Sequence, residues 1–206
     1  MTSLSIVEYG VGNIGSVLHA CRRAGIEPRV ARDAGELEAQ DSSHILLPGV
    51  GAVGEALHHL RERGFEATLY NKAFEEKIPI LSICVGMQML AETCEEFGTH
   101  KGLAWIPGAR VSRLAEKGSG LRLPHVGWNT IQLEGNAPLL EGLGEEHFYF
   151  VHTYAMSCSD HYIMARTDYA GAFVSAVRRN NIYGVQFHPE KSSGAGVALL
   201  KNFMSC

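Results

Sequence analysis

Lys77-Ile78-Pro79-Ile80-Leu81-Ser82-Ile83-Cys84-Val85-Gly86-Met87-Gln88-Met89-Leu90-Ala91-Glu92 changes its hydrophobic period at Cys84. Up to that residue the run is apolar and of strand length; beyond it Met87, Leu90 and Ala91 recur at helical spacing. A cysteine therefore stands at the corner where a buried strand becomes a helix. Its neighbours at minus two and plus two, Ser82 and Gly86, are small, as a sharp elbow requires where two backbones approach. Such an elbow presents its central side chain above the sheet, and the helix N-terminus beneath it favours the thiolate. Two readings are open from this segment alone. Cys84 is a nucleophile, or it is a core cysteine of the kind common beside strands.

Working outward, the first half of the chain alternates strand and helix. Leu4–Tyr9 is a short apolar run ending in Gly10-Val11-Gly12-Asn13-Ile14-Gly15, and a helix follows through Val17, Leu18, Cys21 and Ala24, stopped by Gly25. Glu27–Ala31 reads as a second strand with Asp33 just past it. His44–Leu47 is a third strand, ended by Pro48 and followed by Gly49-Val50-Gly51 and a helix over Glu55–Arg63. With the strand Ile78–Ile83 and the helix Val85–Glu92 this gives a βαβαβαβα series. The expected fold is α/β: a doubly wound, largely parallel central sheet flanked by helices, with sites at the C-terminal ends of its strands. Both Pro48–Gly51 and Cys84 fall at such ends. The two glycines free backbone N–H groups to point into a crevice, where they could stabilise a developing oxyanion.

Gly10–Gly15 with Asp33 also matches a dinucleotide fingerprint. The same glycine spacing recurs at Gly49-Val50-Gly51-Ala52-Val53-Gly54, so the pattern is cheap in this chain. A tight turn between strand and helix is the simpler reading of Gly10–Gly15.

Beyond about residue 100 the strands are short and alternating: Arg110–Leu114, Thr130–Leu133, Phe148–Thr153, Tyr162–Thr167, Ala172–Arg178 and Ile182–Phe187. Additional antiparallel strands in the C-terminal half should extend or cover the first sheet. A last helix, Gly196–Phe203, should pack back on it. Residues 1–206 read as a single domain.

The last strand ends in Gln186-Phe187-His188-Pro189-Glu190-Lys191-Ser192. In extended backbone, residues two apart face the same way, which sets His188 and Glu190 on one side. A carboxylate accepting the imidazole Nδ1–H holds the tautomer and leaves Nε2 free as a base, which a thiol nucleophile requires. Two further clusters, Leu123–Asn129 and the aromatic strand Tyr149–Tyr154, are either core and turn structure, the simpler reading, or part of a site, the polar end of the second being able to bind a small amino acid.

Composition bounds the function classes. A formal net charge of −4 gives no general pull toward nucleic acid or an anionic membrane. No apolar run approaches the ~18 residues needed to span a bilayer, and Met1–Ser5 lacks a basic signal-peptide region. Cys21, Cys84, Cys94, Cys158 and Cys206 are odd in number, widely spaced and without a Cys-x-x-Cys pair. That argues against a disulfide framework or a zinc knuckle and for a reducing, cytoplasmic setting.

Taken together, Tyr9–Asn13, Pro48–Gly51, Cys84–Gln88, Pro124–Asn129, Tyr149–Tyr154 and Gln186–Ser192 resemble the class I (triad) glutamine amidotransferases, and within them the glutaminase subunits of imidazole glycerol phosphate synthase. The resemblance implies that Cys84 attacks the carboxamide of glutamine, His188 relays the proton and Glu190 orients it. It implies an oxyanion hole from backbone N–H groups at Val50 or Gly51 and at Val85. Glutamine binding is implied for Gly51, Gln88, Glu96, His152, Thr153 and Tyr154. No cofactor or metal is implied. Ammonia is expected to pass to a barrel-shaped cyclase partner in a heterodimer of the histidine pathway, with Asn13 and Lys191 near that partner. Ser82 and Val85 depart from the usual glycine and leucine, and Val53 from a common aromatic; none removes a chemical group. Two alternatives are another class I amidotransferase subunit, serving anthranilate or pyridoxal phosphate synthesis, and a nucleotide-binding module on Gly10–Gly15 and Asp33.

Overall fold

The computed structural model describes residues 2–115, 122–169 and 171–206. The first half runs β1 (Leu4–Val7), α1 (Ile14–Arg23), β2 (Arg29–Ala31), α2 (Ala34–Ala39), β3 (His44–Gly49), α3 (Val53–Glu62), α4 (Phe65–Tyr70), β4 (Ile80–Cys84) and α5 (Val85–Met89). The second half continues with β5 (Thr93–Glu95), β6 (Thr99–Lys101), β7 (Arg110–Arg113), β8 (His125–Thr130), β9 (Gln132–Leu133), β10 (His147–His152), β11 (Tyr154–Ser157), β12 (Ile163–Asp168), β13 (Ala172–Arg179), β14 (Ile182–Val185) and α6 (Ser193–Phe203). The main sheet has the order β2-β1-β3-β4-β14-β13-β12-β9. Its β2-β1-β3-β4-β14 part is parallel, and the remaining pairs are antiparallel. This is the expected α/β architecture.

β1, β3, β4 and β14 are buried along their whole length, which is why they read as unbroken apolar runs rather than alternating ones. β14 is the pivot. Among the antiparallel strands expected in the second half, it alone joins the parallel set, pairing Val185 with Ile83 of β4 while β13 flanks its other side. Above the strand ends, β8 and β10 form a two-stranded ribbon, and β11-β7-β5-β6 a second small sheet. The chain steps from ribbon to sheet at Thr153, whose carbonyl accepts the Leu114 N–H.

Several expectations need correction. Pro48 does not end β3; the strand runs on to Gly49, paired with Cys84, and the Pro48 carbonyl accepts the Tyr9 hydroxyl at 2.8 Å. The helix after Cys84 stops at Met89 rather than Glu92, because the N–H groups of Ala104, Trp105 and Ile106 take the carbonyls of Ala91 and Leu90 and turn the chain toward β5. Most of the segment read as turn around His125 is strand β8, in register with β10. Asp33 lies at the N-cap of α2, where its carboxylate accepts the Glu36 N–H at 2.8 Å, so the acid of the dinucleotide pattern has a local capping role. Asn13 likewise caps α1 by accepting the Ser16 N–H at 3.2 Å. α2 and α4 have six residues each, too few for a helical period to stand out in the sequence.

Candidate active site

β3, β4 and β14 are adjacent, and their C-terminal ends deliver Gly49–Gly51, Cys84 and Gln186–His188 to one place. Cys84 is the last residue of β4 and the N-cap of α5, at φ 55° and ψ −108°, a conformation costly for a residue with a Cβ. The strain holds because the elbow is tightly overdetermined. A Cβ at Gly86 would lie 2.2 Å from the Leu47 carbonyl oxygen, so only glycine lets α5 start against β3. Ser82 is fully buried beneath the elbow, and its hydroxyl makes no hydrogen bond among the described residues.

His188 and Glu190 meet by a route other than the expected one. Instead of continuing an extended strand, the chain turns at His188, and Pro189–Lys191 is a short 3₁₀ turn with Pro189 at its first position. The turn brings Glu190 Oε1 to 2.7 Å from His188 Nδ1, both side chains nearly sealed from solvent. A Cβ at Gly196 would lie 1.8 Å from the Pro189 carbonyl oxygen, so glycine there lets α6 seat directly on this turn. Ser192 completes the support: its hydroxyl donates to the His188 carbonyl at 2.6 Å and accepts the Tyr149 N–H at 3.0 Å.

With Nδ1 engaged by Glu190, Nε2 is the ring nitrogen left for Cys84; it is buried and makes no hydrogen bond among the described residues. Burial lowers the His188 pKa, but the Cys84 and Glu190 side chains outweigh it and hold the imidazole above its ordinary value. Burial pushes the thiols of Cys21 and Cys94 up to about 12 and that of Cys158 to about 11, which makes them poor sources of thiolate.

A cavity of about 350 Å³ opens in front of Cys84 and His188. Val50, Gly51 and Val85 line it, as do Gln88, Glu96, His152, Thr153, Tyr154 and Lys191. Gly51 has φ 83°, within reach of a glycine and few others. Val85 is the first residue of α5, so its N–H has no intrahelical partner. Glu96 accepts the Val53 N–H at 2.7 Å through one oxygen, supplying the cap that Ala52 does not give α3. Glu190 lies behind His188 rather than on the wall. Asn13 stands outside the cavity, but α1, which it caps, packs against the turn carrying Lys191. Among the described residues, no three metal-ligand side chains converge.

Two residues of this region escaped sequence reasoning as site members. Gln186 is fully buried, and its Nε2 donates to Cys84 Sγ at 3.6 Å. His125 is buried in β8 directly opposite His152, with 3.0 Å between its Nδ1 and His152 Nε2. The signal for Gln186 was a polar residue within an otherwise apolar strand end. For His125 it was the cluster Leu123–Asn129, but the β8–β10 register that gives it meaning cannot be read from one sequence.

The family model for glutamine amidotransferase class-I matches residues 5–206. The chain is also 43% identical over 202 residues to the imidazole glycerol phosphate synthase subunit HisH of Desulfitobacterium hafniense, covering 97% of this chain and 92% of that protein. The chain belongs to the class-I glutamine amidotransferases, in the HisH family. Other HisH relatives agree, among them the subunit of Leptospira interrogans, 39% identical over 205 residues with 98% and 99% of the two chains covered. A chloroplastic imidazole glycerol phosphate synthase hisHF of Arabidopsis thaliana is 37% identical over 204 residues, which cover 98% of this chain and 34% of that protein. Among solved structures, a glutamine amidotransferase superposes with a TM-score of 0.76 at 20% identity, covering 98% and 99% of the two chains. The amidotransferase fold is thus shared well beyond its sequence relatives.

Proposed function

We propose that this amidotransferase subunit hydrolyses glutamine to glutamate and ammonia, with residues 1–206 acting as a single domain. Cys84 Sγ attacks the side-chain carboxamide carbon, and the tetrahedral oxyanion is held by the N–H groups of Val85 and of Val50 or Gly51. His188 gives a proton to the departing ammonia, leaving a glutamyl thioester. It then takes a proton from water, which attacks the thioester and releases glutamate and the thiol. Glu190 keeps Nε2 directed at these atoms throughout. The observation that carries the reading is the meeting of Cys84 with a carboxylate-oriented His188 at the wall of one cavity.

Glutamine lies in that cavity against Gly51, Gln88, Glu96 and the His152–Tyr154 segment. Ammonia passes to a cyclase subunit that makes imidazole glycerol phosphate and aminoimidazole carboxamide ribotide in histidine biosynthesis, in the cytoplasm. Support for the partner comes from the relatives' names, which call them subunits of the synthase, and from the Arabidopsis protein, in which the matched part is about a third of the length. Asn13 and Lys191 face that partner. An electrophilic glutamine analogue should label Cys84, and labelling that persists in Cys84→Ala sinks the assignment. Complexes carrying Cys84→Ala should lose glutamine-dependent synthesis and keep ammonia-dependent synthesis; loss of both makes the cysteine structural.

A further inference from the structure

We propose that Gln186 is a positioning residue which, through one carboxamide, supplies an N–H donor to the Cys84 sulfur and fixes the orientation of the Gln88 amide at the cavity wall. It rests on the reading of Cys84 as nucleophile and deepens that site.

Tyr154 sets the orientation. Its backbone carbonyl can only accept, and it receives the Gln88 side chain at 3.1 Å, so the group of Gln88 that faces it is the NH₂. The same Nε2 lies 3.2 Å from the Gln186 carboxamide, which must therefore present its oxygen. That in turn leaves the NH₂ of Gln186 facing Cys84 Sγ at 3.6 Å. Neither amide can flip alone without setting donor against donor or acceptor against acceptor within the protein. Orientation is thus transmitted from one backbone carbonyl, through two amides, to the sulfur.

Two consequences follow for the reaction. An N–H aimed at sulfur stabilises the thiolate over the thiol. Gln88 commits both Nε2 hydrogens inside the protein, so it offers only Oε1 to the cavity. Its ligand there must be a donor, an N–H of the bound glutamine. Gln186 does not itself line the cavity; it acts through Cys84 and Gln88.

Two substitutions separate these halves. Gln186→Glu keeps an acceptor for Gln88 but sets negative charge beside the sulfur, whereas Gln186→Met removes both contacts. The rate of iodoacetamide alkylation at Cys84, followed by mass spectrometry from pH 5 to 10 on the full chain, should show its midpoint displaced upward by about one unit or more in both variants. The KM for glutamine with the cyclase subunit present should rise about tenfold in Gln186→Met and stay near wild type in Gln186→Glu. An alkylation midpoint that does not move, or a KM raised equally in both, overturns the proposal. If Gln186→Met does not fold, the near-isosteric Gln186→Glu decides it by the same two readouts. Absence of wild-type glutaminase activity would count against the proposed function alone, since alkylation reads the sulfur directly.

Discussion

Glu190 Oε1 lies 2.7 Å from His188 Nδ1 although the backbone between them is a 3₁₀ turn, so the pair is set by Pro189 and the seating of α6 rather than by strand alternation. In the proposed mechanism the carboxylate fixes the tautomer and supports the positive charge that develops on the imidazole. Glu190→Gln keeps the shape but removes that charge, so glutamine-dependent synthesis should fall on the order of 10²-fold to 10⁴-fold. Ammonia-dependent synthesis by the same complex should be unchanged. Equal losses in the two assays would show that the substitution disturbs the fold or the partner contact instead.

Much of this site was legible because its residues break local rules. Cys84 is marked by a change of period and by small neighbours, and the observed positive φ and the Gly86–Leu47 approach are what those neighbours permit. The pattern at His188 and Glu190 predicts their pairing, but the contact is made through a 3₁₀ turn instead of extended backbone. What the sequence hides is register. Gln186 reaches Cys84 only because β14 lies beside β4, and His125 meets His152 only because β8 and β10 pair residue for residue. Strand order and register are long-range properties that local patterns do not encode.

The elbow itself predicts a sharp intolerance. In Gly86→Ala the new methyl meets the Leu47 carbonyl oxygen at 2.2 Å, and backbone of a central strand cannot move aside as a side chain could. The substitution should cost about 3 kcal/mol or more, seen as a lowered thermal midpoint. Any protein that still folds should react more slowly with an electrophilic glutamine analogue, because β3 and α5 have separated around Cys84. Wild-type stability and labelling in this variant would mean that the elbow is far softer than its packing indicates.

The buried histidine pair gives a pH dependence of definite sign. His152 Nδ1–H donates to the Tyr154 carbonyl at 2.9 Å, so its Nε2 accepts from His125 Nδ1–H and the His152 ring is neutral. Burial, with smaller contributions from His125 and His188, lowers the His152 pKa from 6.5 to about 4. The unfolded chain therefore binds more protons across that interval, and the stability is complete above pH 6.5 and declines as pH falls toward 4. The loss should amount to about 3 kcal/mol, with His125, lowered by burial, adding in the same direction. Thermal midpoints measured between pH 7 and 4 should fall, and His152→Phe should start lower but decline less steeply. An identical slope in the variant would remove His152 as the cause.

Glu96 caps a helix and, on the proposed function, also binds glutamine, and substitution can divide the two. One oxygen accepts the Val53 N–H at 2.7 Å and caps α3, while the side chain also borders the cavity, where its charge suits the ammonium group of glutamine. A neutral amide can still accept that N–H, so Glu96→Gln should lose less than about 1 kcal/mol of stability. Glu96→Ala abandons a buried donor at a helix start and should lose about 1–2 kcal/mol. Both remove the charge, and the KM for glutamine should therefore rise at least tenfold in each. Urea unfolding beside steady-state kinetics checks the division directly. A KM near wild type in Glu96→Gln would show that the carboxylate serves the helix alone, and that glutamine finds its ammonium partner elsewhere in the cavity.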